Sequence, residues 1–133
     1  MLNEKEQINV IERTHPFTDV DKDERELAYL YENGIVRGKS ATEFCPNDSI
    51  SREEAATILH RLFKFVYKTD ADNSDEEKLY ADDNTISDWA KNSVYSMKTH
   101  KIMIGVDNET FSPKTPFSLE QTVVTLVRIY EYK

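Results

Sequence analysis

The stretch that decides the fold is FCPNDSISREEA, residues 44–55, and a related stretch, FSPKTPFSLEQT at residues 111–122, follows it 67 residues later. Sliding the chain against itself by that distance gives eight identities between residues 35 and 61. Chance at average composition would give about one or two. Several of the matches are glycine, proline and phenylalanine, which coincide less often than leucine or glutamate. The chain therefore contains two copies of one repeat.

Each stretch ends in a sequence that is typical of a helix start. Ser51-Arg52-Glu53-Glu54 and Ser118-Leu119-Glu120-Gln121 both fit the capping box, in which a serine oxygen accepts an N–H three residues on and the Glu or Gln side chain reaches back. Apolar residues then recur with helical period in both copies. They are Ala55, Ile58, Leu59, Leu62, Phe65 and Val66 in the first copy, and Val123, Leu126, Val127 and Tyr130 in the second. We expect second helices over about 51–67 and 118–132.

A first helix and a loop precede each of these second helices. An aromatic-x-Asp opening, Phe17-Thr18-Asp19 or Tyr80-Ala81-Asp82, is followed by helices that we expect near 22–33 and 88–99. Gly34 suits the end of the first of these, because glycine tolerates the left-handed conformation. In the second, Trp89, Val94 and Met97 are expected on the inward side, with Thr85 or Ser87 as the cap. The loop has a glycine six positions before a Phe-x-Pro motif, in which proline prevents an early helix start.

These elements predict an all-α fold of two helix–loop–helix repeats that pack through their second helices. The predicted organisation is an N-terminal arm at 1–16 with a short helix over 4–13, repeats at 17–68 and 80–133, and an acidic linker at 69–79. An apolar flank is expected on this two-repeat fold. Either the N-terminal helix or a second copy of the chain covers it, and we favour the helix.

Composition excludes several classes of partner. The formal net charge of −8 argues against nucleic acid, which requires clustered Lys and Arg, and against attraction to an anionic membrane. The sequence contains no run of about 18 apolar residues that could cross a bilayer. The acids near Met1 do not fit a signal peptide, so an export signal for work outside the cell would lie outside this sequence.

No catalytic or metal-binding pattern is evident, and we expect neither an enzyme nor a cofactor. The three histidines lack metal-ligand spacing, and Cys45 has no identifiable base beside it. The run that begins at Asp19 starts like a calcium loop, but its sixth position is Glu24 instead of glycine and its twelfth is Leu30 instead of glutamate. We therefore predict no metal site.

The order of these motifs resembles the S-layer homology family. The first copy supplies Phe17-Thr18-Asp19-Val20, Gly34-Ile35-Val36-Arg37-Gly38, Phe44-Cys45-Pro46 and Ile50-Ser51-Arg52-Glu53-Glu54-Ala55, and most of these motifs recur in the second copy. The resemblance implies a non-catalytic module that anchors proteins to the bacterial cell wall. It also implies three repeats around a central bundle, with grooves that bind secondary cell-wall polysaccharide, often through a pyruvylated sugar.

The resemblance implies glycan binding by Arg52 at the start of the second helix, by nearby glycine backbone such as Gly38, and by Trp89. We add Ser51, which precedes Arg52, and Arg37, which stands beside the Gly turn and would add positive charge. An Arg can hold a carboxylate with two parallel hydrogen bonds, a helix N-terminus offers N–H groups, and a tryptophan ring suits stacking on a sugar.

This chain departs from the family pattern at the positions that bind. Leu119 replaces the Arg in the second copy, Lys22 replaces the Trp in the first, Lys101 stands where Gly34 stands, and the chain has two copies instead of three. The alternative hypothesis is therefore a structural or protein-interaction module that has lost glycan binding.

Overall fold

Four α-helices make up the regular structure of the computed structural model. It describes residues 15–20, 25–45, 47–68, 79–107 and 109–132, with the backbone alone at 119 and 120. The helices are α1 (Arg25–Glu32), α2 (Arg52–Tyr67), α3 (Asp88–Thr99) and α4 (Leu119–Glu131), and a 3-10 turn covers Asp83–Thr85. The described part contains no strand beyond one isolated bridge between Ser51 and Pro116. The predicted all-α class is confirmed, while the helix predicted over 4–13 and the linker at 69–78 lie outside the described residues.

The chain divides into two compact units, Met1–Asp48 and Ser49–Lys133. The first unit contains α1 and the loop that follows it. Its centre is Phe17, which is fully buried and has its ring 5.4 Å from that of Tyr31 and 5.3 Å from that of Phe44. The boundary falls between the loop and the second helix of the first sequence repeat, so α2 belongs to the second unit.

In the second unit, α2 packs along α3, and this is the most extensive contact between described helices. The second helices α2 and α4 meet near their C-terminal ends. There the rings of Phe63 and Tyr132 lie 4.8 Å apart, and the Tyr67 hydroxyl donates to the Ile129 carbonyl. The core between α2 and α3 is apolar, with Phe63, Ala90, Val94 and Met97 almost fully buried. The second unit thus joins the second helix of one repeat to the first helix of the next.

Both predicted capping boxes are present. The Ser51 hydroxyl accepts from the Glu54 amide at 3.2 Å, and the Ser51 amide donates to Glu54 Oε1 at 2.8 Å. Ser118 and Gln121 make the same pair of bonds, each at 3.0 Å. The predicted cap of α3 differs, because Ser87 occupies the N-cap position without a side-chain cap bond and its hydroxyl binds elsewhere.

The expectation that Trp89 points inward is wrong, since its side chain is 62% exposed. The buried positions of α3 include Ala90, Val94 and Met97, at i, i+4 and i+7. Successive residues of a helix are about 100° apart, so Trp89 turns away from the stripe that begins one residue later.

The apolar stripes of the second helices also differ from the sequence pattern. In α2 the buried ring is Phe63, while Phe65 and Val66 are exposed. In α4 the pattern residues Val123, Leu126, Val127 and Tyr130 are all exposed, whereas Thr125 and Ile129 are buried. Periodicity identifies an apolar helix face but does not decide whether a neighbour is present to bury it.

Candidate functional site

An aspartate fastens the loop in each repeat. In the first unit, Asp19 Oδ1 accepts from the Phe44 amide at 2.9 Å and Oδ2 from the Cys45 amide at 2.8 Å. These two N–H groups lower the pKa of Asp19 below its ordinary value of 3.8, because they stabilise the charged carboxylate. The aspartate of the aromatic-x-Asp opening is therefore a loop clamp.

The second repeat uses the same arrangement. Asp82 Oδ1 accepts from the Phe111 amide at 3.0 Å and Oδ2 from the Ser112 amide at 2.9 Å. Ser112 and its equivalent Cys45 both have φ of 59°, in the left-handed region. The two loops therefore share the aspartate clamp and a left-handed residue at the same position, despite different sequences.

The spacing of Gly and aromatic residue that the two repeats share has a steric reason. A Cβ built on Gly38 would lie 2.3 Å from Phe17 Cε1, and one built on Gly105 would lie 2.9 Å from Tyr80 Cε1 and 2.4 Å from the Thr110 carbonyl oxygen. No side chain fits at those distances, so each loop glycine allows the aromatic ring of its own repeat to approach the backbone.

Arg52 is the predicted site residue with the most constrained position. The residue is only 3% exposed. Its Nε donates to the Phe111 carbonyl and its Nη2 donates to the Ile104 carbonyl, each at 2.8 Å. Its guanidinium carbon lies 4.8 Å from the centre of the Phe111 ring. Burial lowers the pKa of Arg52 from its ordinary value, although the nearby Tyr80 and Asp82 act in the opposite direction. Arg52 connects α2 to the loop of the second repeat.

The backbone N–H groups at the start of α2 are already bonded. The Arg52 amide donates to the Thr115 carbonyl at 2.8 Å, and the Glu53 amide donates to the Pro113 carbonyl at 2.9 Å. The next amide donates to the Ser51 hydroxyl. The helix N-terminus, which the sequence analysis offered to an anion, binds this loop instead.

Glu53 adds a buried carboxylate to the same contact between the start of α2 and the second repeat. It accepts from the Ser87 amide at 2.9 Å, from the Ser87 hydroxyl at 2.7 Å and from Lys114 Nζ at 2.7 Å. Burial alone raises the pKa of Glu53, but the hydrogen bonds from Lys114 and Ser87 outweigh it and hold the pKa below 4.5. The Arg and Glu that follow Ser51 therefore both join the two repeats.

A groove of about 160 Å³ opens beside Arg52. Its described lining comes from α2, from the loop after α3 and from α4, and consists of Arg52, Met103, Ile104, Gly105, Gln121, Val124, Thr125 and Arg128. Two of these residues are arginines, and no described lining residue is acidic. The described lining therefore carries two positively charged side chains, on a chain whose net charge is −8.

Arg128 is the second arginine of this groove. It is half-buried, and its Nη1 donates to the Ile102 carbonyl at 3.3 Å. It was not among the predicted site residues, nor were Gln121 and Thr125. The signal that could have identified it is the spacing of 121, 125 and 128, which places all three on one face of α4.

The other predicted site residues are not among the described groove lining. Ser51 caps α2, and Trp89 presents an exposed ring on the first turn of α3. Arg37 and Gly38 are exposed loop residues of the first unit, where Gly38 has φ of 82°. Of the five predicted residues, Arg52 alone is in the described lining of the groove.

Comparison with known proteins gives consistent matches. Residues 16–56 and 79–123 match the model of the S-layer homology domain. The chain is 32% identical over 98 residues to an endoglucanase of Bacillus sp. (strain KSM-635), and 31% identical over 108 residues to a surface-layer 125 kDa protein of Lysinibacillus sphaericus. These alignments cover 74% and 79% of this chain but only 10% and 9% of the relatives. No described helix has the length and apolar character to cross a membrane.

Proposed function

The chain belongs to the S-layer homology family, whose domains are non-catalytic modules that anchor surface proteins to the bacterial cell wall, and from that premise we propose that it binds secondary cell-wall polysaccharide noncovalently. The contact that we assign to this binding is an acidic group of the polymer in the groove beside Arg52 and Arg128. The protein would then act at the bacterial cell surface.

The observation that carries the proposal is that two arginines, and no acidic residue, are among the described residues that line one groove. Guanidinium is the side chain best suited to a carboxylate or phosphate, because its planar fork can donate two parallel hydrogen bonds. At physiological salt the screening length is about 8 Å, so the net charge of −8 does not prevent a local cationic site from binding an anion.

The apolar part of the lining favours a particular acid. Ile104 and Val124 are both exposed and both line the groove. A pyruvate ketal carries a carboxylate and a methyl group on one carbon, which matches guanidinium and aliphatic side chains side by side. We therefore propose a pyruvylated sugar as the ligand. Trp89, Arg37, Gly38 and Ser51 remain candidates for further sugar contacts, of which the exposed Trp89 ring is suited to stacking.

A structural or protein-interaction module is the second candidate function. The observation in its favour is that Arg52 is buried and bonded to two backbone carbonyls, which is also what a purely structural arginine does. The residue that corresponds to it in the second repeat, Leu119, has no charge. In this reading the groove is a by-product of repeat packing.

Co-sedimentation separates the two candidates. The protein would be mixed with purified bacterial sacculi that carry their secondary polymer and, in parallel, with sacculi from which the polymer has been removed chemically. Glycan binding predicts sedimentation with the first preparation alone. Equal sedimentation with both preparations, or with neither, would favour the structural module.

The exposed apolar face of α4 is a candidate surface for contact with another part of the chain or with a second copy. Equivalent positions in α2, such as Leu59 and Phe63, are buried in the core beside α3, whereas their counterparts Leu126 and Tyr130 are exposed. This exposed face is an apolar flank of the kind that we expected either the N-terminal helix, which lies outside the described residues, or a second copy of the chain to cover. Sedimentation equilibrium of the free chain distinguishes a dimer from a monomer.

A further inference from the structure

We infer that Gln121 is a specificity-determining residue of the groove, whose side-chain nitrogen donates a hydrogen bond to the acidic group of the ligand. The inference rests on the proposed function, because it concerns the same groove. It adds a neutral donor to the two arginines, and it gives a reason why the capping box of the second repeat contains glutamine where that of the first contains Glu54.

The capping box fixes the orientation of the Gln121 side chain. Its Oε1 accepts from the Ser118 amide at 3.0 Å, and the Gln121 amide donates to the Ser118 hydroxyl at the same distance. The carboxamide nitrogen carries two N–H donors on the other branch of the planar group, and it makes no hydrogen bond to a described residue. Because Gln121 is half-buried and lines the groove, we assign these donors to the ligand.

The helix start by itself does not require glutamine at this position. In the first repeat, Glu54 Oε1 accepts from the Ser51 amide at 2.8 Å, so a carboxylate closes the same capping box. The N-terminus of a helix carries a positive partial charge, which favours a carboxylate there over a neutral amide. Glutamate at position 121 would therefore serve the fold at least as well. What glutamine adds is a donor, without a negative charge in the groove.

The groove lining around Gln121 is also suited to an anion. Gln121 and Arg128 lie seven positions apart on one face of α4, and both line the groove. Arg52 uses Nε and one N–H of Nη2 for backbone carbonyls, so its other N–H groups remain available to a ligand. A glutamate at position 121 would compete with the anionic group of the ligand for these donors and would repel it.

The test is Gln121→Glu, measured with polymer-bearing sacculi that are untreated or have had their carboxylates converted to amides. The wild-type protein should bind the untreated sacculi about tenfold to a hundredfold better, as expected for charge-assisted hydrogen bonds. Gln121→Glu should bind the untreated sacculi about tenfold more weakly than the wild type, and the amidated sacculi at least as well. Its thermal midpoint should equal or exceed that of the wild type, because glutamate keeps the capping box.

Two matched controls separate a local effect from a general one. Asn92→Asp adds the same single negative charge at an exposed position of α3 that is not among the described groove lining. It should keep the preference for untreated sacculi, because charges in solvent are screened over about 8 Å at physiological salt. Glu54→Gln makes the reverse exchange in the other capping box and should also keep the preference.

Each outcome decides a separate point. If Gln121→Glu keeps the wild-type affinity for untreated sacculi, or if either control loses as much, the assignment of Gln121 is wrong. It is also wrong if the loss comes with a lower thermal midpoint or is equal for both preparations, because position 121 would then act through the helix start. If the wild type binds both preparations equally, the groove does not recognise an acid, and the inference fails while sacculus binding stands. If the wild type does not bind untreated sacculi at all, the proposed function itself fails.

Discussion

The carboxylate of Glu53 accepts a hydrogen bond from the Ser87 hydroxyl at 2.7 Å, between residues that are 34 positions apart in the chain. The Ser87 amide donates to the other carboxylate oxygen at 2.9 Å. One side chain thus joins the first turn of α2 to the N-cap position of α3. The serine that sequence reasoning assigned to its own helix serves instead to hold two helices from different repeats together.

Replacing Glu53 with alanine should destabilise the second unit. Glu53 is almost fully buried, and its removal leaves the Ser87 amide without its acceptor. Loss of charge-assisted bonds in a buried site costs about 2–3 kcal/mol. The free energy of unfolding from urea titration, followed by circular dichroism, measures this change.

Lys114→Ala is the matched control for Glu53→Ala. The lysine side chain is 62% exposed although its Nζ lies 2.7 Å from Glu53 Oε2. An ion pair with one partner in solvent contributes about 0.2–1 kcal/mol. A loss for Lys114→Ala as large as that for Glu53→Ala would contradict this account, because the lysine would then be the main partner.

Stability should decrease in acid. The pKa of Glu53 lies below its ordinary value of 4.5, and the hydrogen bond from the Tyr95 hydroxyl, with help from Lys91, lowers the pKa of Asp83 below 3.8. Groups whose pKa is lower in the folded state stabilise it fully above their unfolded pKa, and this contribution disappears as the pH falls through the folded pKa.

The urea midpoint should therefore be nearly constant from about pH 7 to 5 and should fall below about pH 4.5. Glu53→Gln cannot titrate at that position, so its midpoint should be lower at pH 7 and should fall less steeply in acid. A variant curve that runs parallel to the wild-type curve down to pH 3 would show that Glu53 does not contribute to the acid response.

Lys101→Gly should stabilise the protein. Lys101 follows α3 with φ of 59°, a left-handed conformation in which the chain turns so that the Ile102 amide donates to the Met97 carbonyl at 2.9 Å. That conformation costs a residue with a Cβ about 1–2 kcal/mol, which glycine would avoid. The extra flexibility of glycine in the unfolded chain offsets part of this gain in stability. We expect a net increase of about 0.5–1 kcal/mol in thermal or urea unfolding.

The first repeat allows the opposite substitution, in which a glycine at the same position is replaced. Gly34 occupies the equivalent position with φ of 75°, and a Cβ built there would meet nothing within 4 Å. Gly34→Ala should therefore destabilise by about 1 kcal/mol through backbone conformation alone. If both substitutions changed stability in the same direction, the left-handed turn would not be the cause.

Asp82→Ala should loosen the loop of the second repeat. The side chain accepts from the amides of Phe111 and Ser112, and alanine would leave both without that acceptor. We expect a loss of about 2 kcal/mol in the free energy of unfolding. Faster amide hydrogen exchange confined to residues near 111 and 112 is the local measurement. Asp82→Asn, which keeps one acceptor oxygen, should lie between alanine and the wild type.

Much of the fold could be predicted because its signals lie within a few adjacent residues. The capping boxes at Ser51 and Ser118, the bounds of α3 and the loop glycines follow from local rules of hydrogen bonding and backbone conformation. The family resemblance also follows from motif order, and the match over both repeats confirms it. The five predicted site residues remain predictions.

The rest could not be predicted because it depends on contacts between distant residues. Nothing adjacent to Arg52 in the chain indicates that its donors meet the carbonyls of Ile104 and Phe111, or that Arg128 lines the same groove. The apolar spacing of α4 gives no sign that Tyr130 is 87% exposed. Periodicity reports the chemistry of a helix face, whereas burial requires a neighbour.

The amino-acid sequence therefore determined the two-copy architecture, the helix starts and the turns, since each depends on steric and hydrogen-bonding preferences that act over three or four residues. The tertiary structure decided that α2 packs on the repeat that follows it, that Glu53 and Arg52 join the two repeats, and which arginines line one groove. Those outcomes depend on which buried polar groups form hydrogen bonds across the fold. Such partners are distant in the chain, so the sequence near a side chain does not identify its partner.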